Sequence, residues 1–133
     1  MIAIVTGASA GLGAQFARQI MEQFPEIDTL WLIARRVGKL EDLAQTIEGK
    51  QVICLGLDLC DAKSFKYFAD HLAEKRPKVG LLVNNAGCGT LGVLLCARDP
   101  SCTVAGIELR PEACRAAQEN VRINGLEERL TVL

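Results

Sequence analysis

Short apolar runs alternate with amphipathic segments along the whole chain, and the alternation predicts a repeating strand–helix pattern. The first run, Ile2-Ala3-Ile4-Val5, predicts a strand over 2–6. Apolar positions at helical spacing then predict a helix over 11–24, stopped by Pro25. A second strand is expected at 29–34, followed by a helix over 37–48 with Gly49 as its stop signal. A third strand at 51–57 leads to Asp61, a suitable N-cap for a helix that reaches Arg76 and ends at Pro77. The fourth strand, 80–85, precedes a short helix ending at Arg98 and a turn at Asp99-Pro100. The fifth, 103–109, precedes a helix with Pro111 at its first position, where a missing N–H costs nothing. Asn124-Gly125 ends that helix with a left-handed signal, and a sixth strand is expected at 129–133.

Six strands and five helices in strict alternation describe an α/β domain spanning residues 1–133, with a parallel sheet covered on both faces. Right-handed crossovers favour a Rossmann-like doubly wound sheet in the order 3-2-1-4-5-6. This order sets the turns after strands one and four side by side at the switch point, where such sheets bind ligands. No helical pattern follows the sixth strand, so part of the second half of the sheet is expected to be bare on one face. Such a face predicts a homodimer or a swapped pair.

Composition narrows the partners. Half of the 133 residues are apolar and the net charge is −1, which argues against nucleic acid and against a membrane surface. No apolar run approaches the ~20 residues of a membrane span. The six cysteines (54, 60, 88, 96, 102 and 114) show no CxxC spacing, and they read as free thiols of a reducing, cytoplasmic setting. No metal-ligand spacing stands out. All lysines and all aromatic residues lie before Gly80, and from Cys88 onward every basic residue is arginine. That change of composition coincides with the second of two glycine-rich turns.

The first turn is Thr6-Gly7-Ala8-Ser9-Ala10-Gly11-Leu12-Gly13. Its glycines supply backbone angles and close approach that a Cβ would block, and the helix N-terminus behind it attracts phosphate. Arg35-Arg36 ends the second strand, where an arginine pairs with a ribose 2′-phosphate and a carboxylate would instead take the 2′-OH. Asp58-Leu59 ends the third strand and Asn84-Asn85-Ala86-Gly87 the fourth. Together these residues resemble the N-terminal half of a short-chain dehydrogenase/reductase, over about residues 1–87. The resemblance implies that Gly7, Ser9, Gly11, Leu12 and Gly13 line a dinucleotide. It implies that Arg35, with Arg36 and Ser9, selects NADP over NAD. Asp58 and Leu59 would flank the adenine, and Asn84 and Gly87 would border the cofactor. That family works with a serine and a Tyr-x-x-x-Lys pair downstream of Asn-Asn-Ala-Gly. Here the single tyrosine, Tyr67, precedes that motif, and His71 stands four residues later.

The second turn is Gly87-Cys88-Gly89-Thr90-Leu91-Gly92, and Glu108 ends the strand that follows. Residues 88–133 resemble the first part of a class I S-adenosylmethionine-dependent methyltransferase. The resemblance implies ligand contacts at Gly87 and Gly89, and a grip by Glu108 on both hydroxyls of a ribose. The catalytic Asn-Pro-Pro-Tyr type motif of that family is absent from the sequence. Taken together, the sequence predicts an engineered or recombined chimera of 1–87 and 88–133. It is expected to bind a nucleotide cofactor at most, NADP or S-adenosylmethionine, with no catalytic residues. The alternatives are an NADP-dependent short-chain oxidoreductase fragment and a structural scaffold that binds no ligand.

Overall fold

The computed structural model describes residues 1–85, 90–106, 108 and 110–132. Among these described residues, eleven elements follow in strict alternation: β1 (Ile2–Thr6), α1 (Gly11–Gln23), β2 (Thr29–Ala34), α2 (Val37–Ala44), β3 (Gln51–Gly56), α3 (Ala62–Lys75), β4 (Val79–Asn84), α4 (Thr90–Arg98), β5 (Val104–Gly106), α5 (Pro111–Ile123) and β6 (Leu130–Val132). All strand pairs are parallel: β1 lies between β2 and β4, and β2 carries β3 on its outer side.

The strands bury both faces, and the period of two sorts their side chains into two cores. Ile2 and Ile4 of β1 and Trp31 and Ile33 of β2 join Phe68 and Leu72 of α3 and Leu91 and Leu95 of α4 on one side. Ala3 and Val5, with Leu30, Leu32 and Ala34, face Ala17 and Ile20 of α1 and Leu40 and Leu43 of α2 on the other. Phe68 meets the Trp31 ring edge-on at 6.3 Å, a favourable aromatic geometry.

The expected continuous six-stranded order needs one correction. The ladder runs β3-β2-β1-β4, and β5 pairs with β6 in a separate two-stranded sheet. Among the described residues the fifth strand covers Val104–Gly106; Ile107 and Leu109 of the expected 103–109 lie outside them. Among the described residues, β5 packs beside β4 without joining its sheet. Helix α4 holds the junction: a Cβ on Gly92 would stand 2.8 Å from Leu130 Cδ1, so a larger residue there would make the Leu130 side chain shift. The large apolar side chains exposed among the described residues are Leu12, Phe24, Val37, Tyr67 and Ile123, and none lies on β4, β5 or β6.

Helix ends follow local chemistry. Asp61 caps α3 by accepting from the Ser64 N–H at 2.9 Å, and Arg76 takes a left-handed φ of 43° before Pro77. Pro111 opens α5, and Gly125 at φ 63° turns the chain after it. Helix α2 stops at Ala44, four residues short of its expected end at 48. The Thr46 hydroxyl donates to the Leu43 carbonyl at 2.7 Å, offering that acceptor a local partner in place of the next helical turn. Among the described residues, no helix is long and apolar enough to cross a membrane.

Candidate functional site

The three strand ends at β1, β2 and β3 open into one cleft of about 510 Å³, a size usual for small-molecule sites. Its walls carry Gly7 and Ser9 from the β1–α1 loop, Arg35 and Arg36 from the end of β2, and Leu57, Asp58, Leu59 and Cys60 after β3. Asn85 and Arg110 close it from the β4 and β5 side.

The β1–α1 loop is held by bonds to its neighbours on both sides. The Ala8 N–H donates to the Ile33 carbonyl of β2 at 3.3 Å. The Asn85 side-chain amide donates to the Gly7 carbonyl at 3.3 Å. Gly7 and Gly11 have φ of 64° and 56°, angles that side-chain-bearing residues rarely take. Gly13 is needed for a different reason: a Cβ there would lie 2.2 Å from the Gly7 carbonyl oxygen. The loop therefore folds back against the first turn of α1 only because residue 13 has no side chain. Among the described residues, no side chain caps α1. Its first-turn N–H groups lack intrahelical partners and form the positive end of the helix dipole.

Arginine supplies the charge. Arg36 Nη2 donates to Ser9 Oγ at 3.3 Å, a hydrogen bond that ties the end of β2 to the glycine loop. Three arginines, Arg35, Arg36 and Arg110, and one acidic residue, Asp58, line the cleft among the described residues. Asp58 Oδ1 also accepts the Cys60 N–H at 3.0 Å, which bends the chain after β3 toward the opening. The cleft has the chemistry of an anion site.

Six of the residues singled out by sequence meet in this cleft: Gly7, Ser9, Arg35, Arg36, Asp58 and Leu59. Gly11, Leu12 and Gly13 stand beside it in the first turn of α1, with Leu12 half exposed. Asn84 is buried and does not line it. It is the β1–β4 register partner of Thr6, whose hydroxyl donates toward Asn84 Oδ1 at 3.4 Å. Gly87 and Gly89, and most of the second glycine loop, lie outside the described residues. Glu108 occupies a different place from the open ribose grip expected of it. Its side chain is only 7% exposed, and Oε1 accepts the Arg110 N–H at 3.1 Å. With Asn84 it lines a separate cavity of about 10 Å³, the scale of one water molecule.

Sequence reasoning missed Ile33, Ala34 and Leu57 of the cleft wall, and three residues there with polar side chains, Asn85, Cys60 and Arg110. Asn85 was legible in the Asn84-Asn85 pair, because the strand ends at Asn84 and only the buried member pairs with β1. Cys60 follows two residues after Asp58 and was readable as part of the same turn. Arg110 carried no signal, because its place depends on how β5 packs against β4. Tyr67, by contrast, is 54% exposed on α3 and stacks on His71 with ring centroids 6.0 Å apart. Neither lines the cleft. Among the described residues, no group of three or more His, Cys, Asp or Glu could hold a metal ion.

Comparison with known proteins places this arrangement. The sequence matches the family described as short chain dehydrogenase over residues 1–101. It is 35% identical over 99 residues to short-chain dehydrogenase/reductase tropG of Talaromyces stipitatus, covering 67% of this chain and 30% of that protein. It is 40% identical over 91 residues to retinol dehydrogenase 11 of Mus musculus, covering 65% of this chain and 28% of that protein. The chain thus spans less than a third of the length of these relatives. Among solved structures, a metagenomic short-chain oxidoreductase in complex with NADP superposes with a TM-score of 0.69 at 20% identity, covering 99% of this chain and 78% of that one. The expected join after Gly87 needs correction, since the family match runs on to residue 101. The comparisons give no support to a methyltransferase origin for residues 88–133, or to an engineered chimera.

Proposed function

The chain belongs to the short-chain dehydrogenase family over residues 1–101, and from that premise we propose that its cleft binds NADP(H) as the cofactor-binding segment of a short-chain oxidoreductase. The observation that carries this reading is the Arg36–Ser9 hydrogen bond beside the glycine loop. It sets a guanidinium at the end of β2, where a ribose 2′-position falls in dinucleotide folds of this order. Gly7, Gly11, Leu12 and Gly13 with the α1 N-terminus take phosphate, Arg35 and Arg36 the 2′-phosphate, and Asp58 and Leu59 the adenine. The residues suit the group: the cleft is roomy, net cationic, and floored by a loop that side chains at residues 7, 11 and 13 would disrupt. The similar metagenomic structure carries NADP, which supports the same reading here.

NADP(H), when bound, supplies a hydride donor or acceptor. This chain's own residues bind and orient the adenosine end. The cleft contains no tyrosine or lysine among the described residues. An acid/base pair for the reaction therefore has to come from beyond the cleft described here. S-adenosylmethionine has weaker support: Glu108 is buried in a cavity apart from this cleft, and one of its oxygens is engaged by Arg110.

Calorimetric titration tests the reading. NADPH is expected to bind more tightly than NADH, and Arg36→Glu to weaken NADPH by about tenfold to a hundredfold while sparing NADH. Equal affinity for the two cofactors in the unmodified chain contradicts the assignment of the arginines. Binding of S-adenosylmethionine with no response to NADPH contradicts the reading as a whole.

A further inference from the structure

We infer that Arg110, contributed by the turn between β5 and α5, is a further cofactor-binding residue that binds the bridging pyrophosphate of the dinucleotide. This inference rests on the NADP(H) reading and extends it to a residue beyond the 1–101 span of the family match.

Arg110 lines the same cleft as Gly7, Ser9 and Arg36, yet it arrives from the opposite side. Arg35 and Arg36 end β2, whereas Arg110 follows β5, which packs on the far side of β4. β1 and β4 stand between β2 and β5, so the two sets of guanidinium groups enter the cleft from different sides. A ligand with two phosphate centres held apart by a ribose offers each side its own anion.

The guanidinium is tethered at its root and open at its tip. Glu108 Oε1 accepts from the Arg110 backbone N–H at 3.1 Å and lies 3.4 Å from Nε. The carboxylate making this tether is itself 7% exposed, whereas the Arg110 side chain is 69% exposed. Both bonds use the backbone and Nε, and among the described residues nothing engages the terminal Nη atoms. Those are the donors that pair bidentately with phosphate oxygens. Glu108 is thus a positioning residue: a buried anchor that fixes the direction of an exposed cation. Among the described residues, Asp58 is the one acidic residue on the cleft wall, and two further arginines outweigh it. The wall that Arg110 completes therefore stays cationic.

The test uses two probes on the 133-residue chain: NADPH, which carries both phosphate centres, and 2′-AMP, which lacks the pyrophosphate. Arg110→Gln should weaken NADPH roughly tenfold and leave 2′-AMP unchanged. Arg110→Lys should recover part of the loss. Glu108→Gln should weaken NADPH by a smaller factor, and should cause no further loss in the Arg110→Gln background. Unchanged NADPH affinity in Arg110→Gln overturns the inference while leaving the NADP(H) reading intact. Equal losses for NADPH and 2′-AMP also overturn it, because Arg110 would then act only by holding the fold. A parent chain that binds neither probe overturns both the inference and the reading it rests on.

Discussion

A methyl group at residue 13 would meet the Gly7 carbonyl oxygen at 2.2 Å and the Asn85 amide nitrogen at 2.8 Å. One position therefore controls both the loop and its brace. Gly13→Ala is expected to destabilise the fold by about 1–3 kcal/mol through overpacking, and to abolish NADPH binding. Thermal unfolding and titration of the same sample check this; a variant with parental melting and affinity contradicts the crowding argument. The cysteines offer a second probe. Burial pushes the thiols of Cys54, Cys96 and Cys102 above their ordinary 9.0, while Cys60 is exposed on the cleft wall. A raised thiol pKa favours the neutral form in the fold. Its stabilisation is present below pH 9.0 and is lost as pH rises through the higher folded-state values. Iodoacetamide at pH 8 should therefore modify Cys60 well before these three, and NADPH should slow that reaction. Mass spectrometry of timed samples reads both effects. Of the cleft residues, the sequence singled out Gly7, Arg35 and Arg36 because their chemistry is local to a strand–turn–helix unit. It could not identify Arg110, whose position depends on the packing of β5.

Elements were legible wherever a capping or breaking residue marks them. Pro25, Asp61, Pro77, Pro111 and Gly125 each fall within a residue or two of a helix boundary expected from them. Asp61→Ala should cost α3 about 1 kcal/mol, since it removes the acceptor for the Ser64 N–H. Denaturant unfolding would read this as a lower midpoint at constant slope; an unchanged midpoint removes Asp61 as the cap. Helix α2 was misjudged because apolar spacing continued to Ile47, whereas a Thr46 side-chain bond to Leu43 closed the helix early. For the fifth strand, expected over 103–109, hydrogen-bonded pairing to β6 covers Val104–Gly106 among the described residues, and Ile107 and Leu109 lie outside them.

At the scale of the molecule, two helical layers sandwich the sheet, and the first four strands supply both its continuity and the cleft. Phe68 is fully buried at the centre of one layer. Phe68→Ala should cost about 3–5 kcal/mol and lower the melting temperature by many degrees. A loss below 1 kcal/mol would mean the layer repacks freely. The overall α/β order was legible because parallel strands buried on both faces read as continuous apolar runs. The break between β4 and β5 was not, because it depends on ladder bonds that no local pattern encodes. Composition also misled: the loss of lysine and aromatics after Gly80 suggested a join near Gly87, yet the family match continues to residue 101.

The central claim is that the β1–α1 loop and the arginines after β2 together form a site for a phosphorylated dinucleotide. Residue-resolved NMR of the uniformly 15N-labelled chain, titrated with NADPH, addresses it most directly. The account predicts saturable shifts of the backbone amides of Gly7, Ser9, Gly11, Leu12, Gly13 and Arg36, with smaller changes on the far helices. Shifts confined to residues outside this cleft, or none at millimolar NADPH, would contradict it.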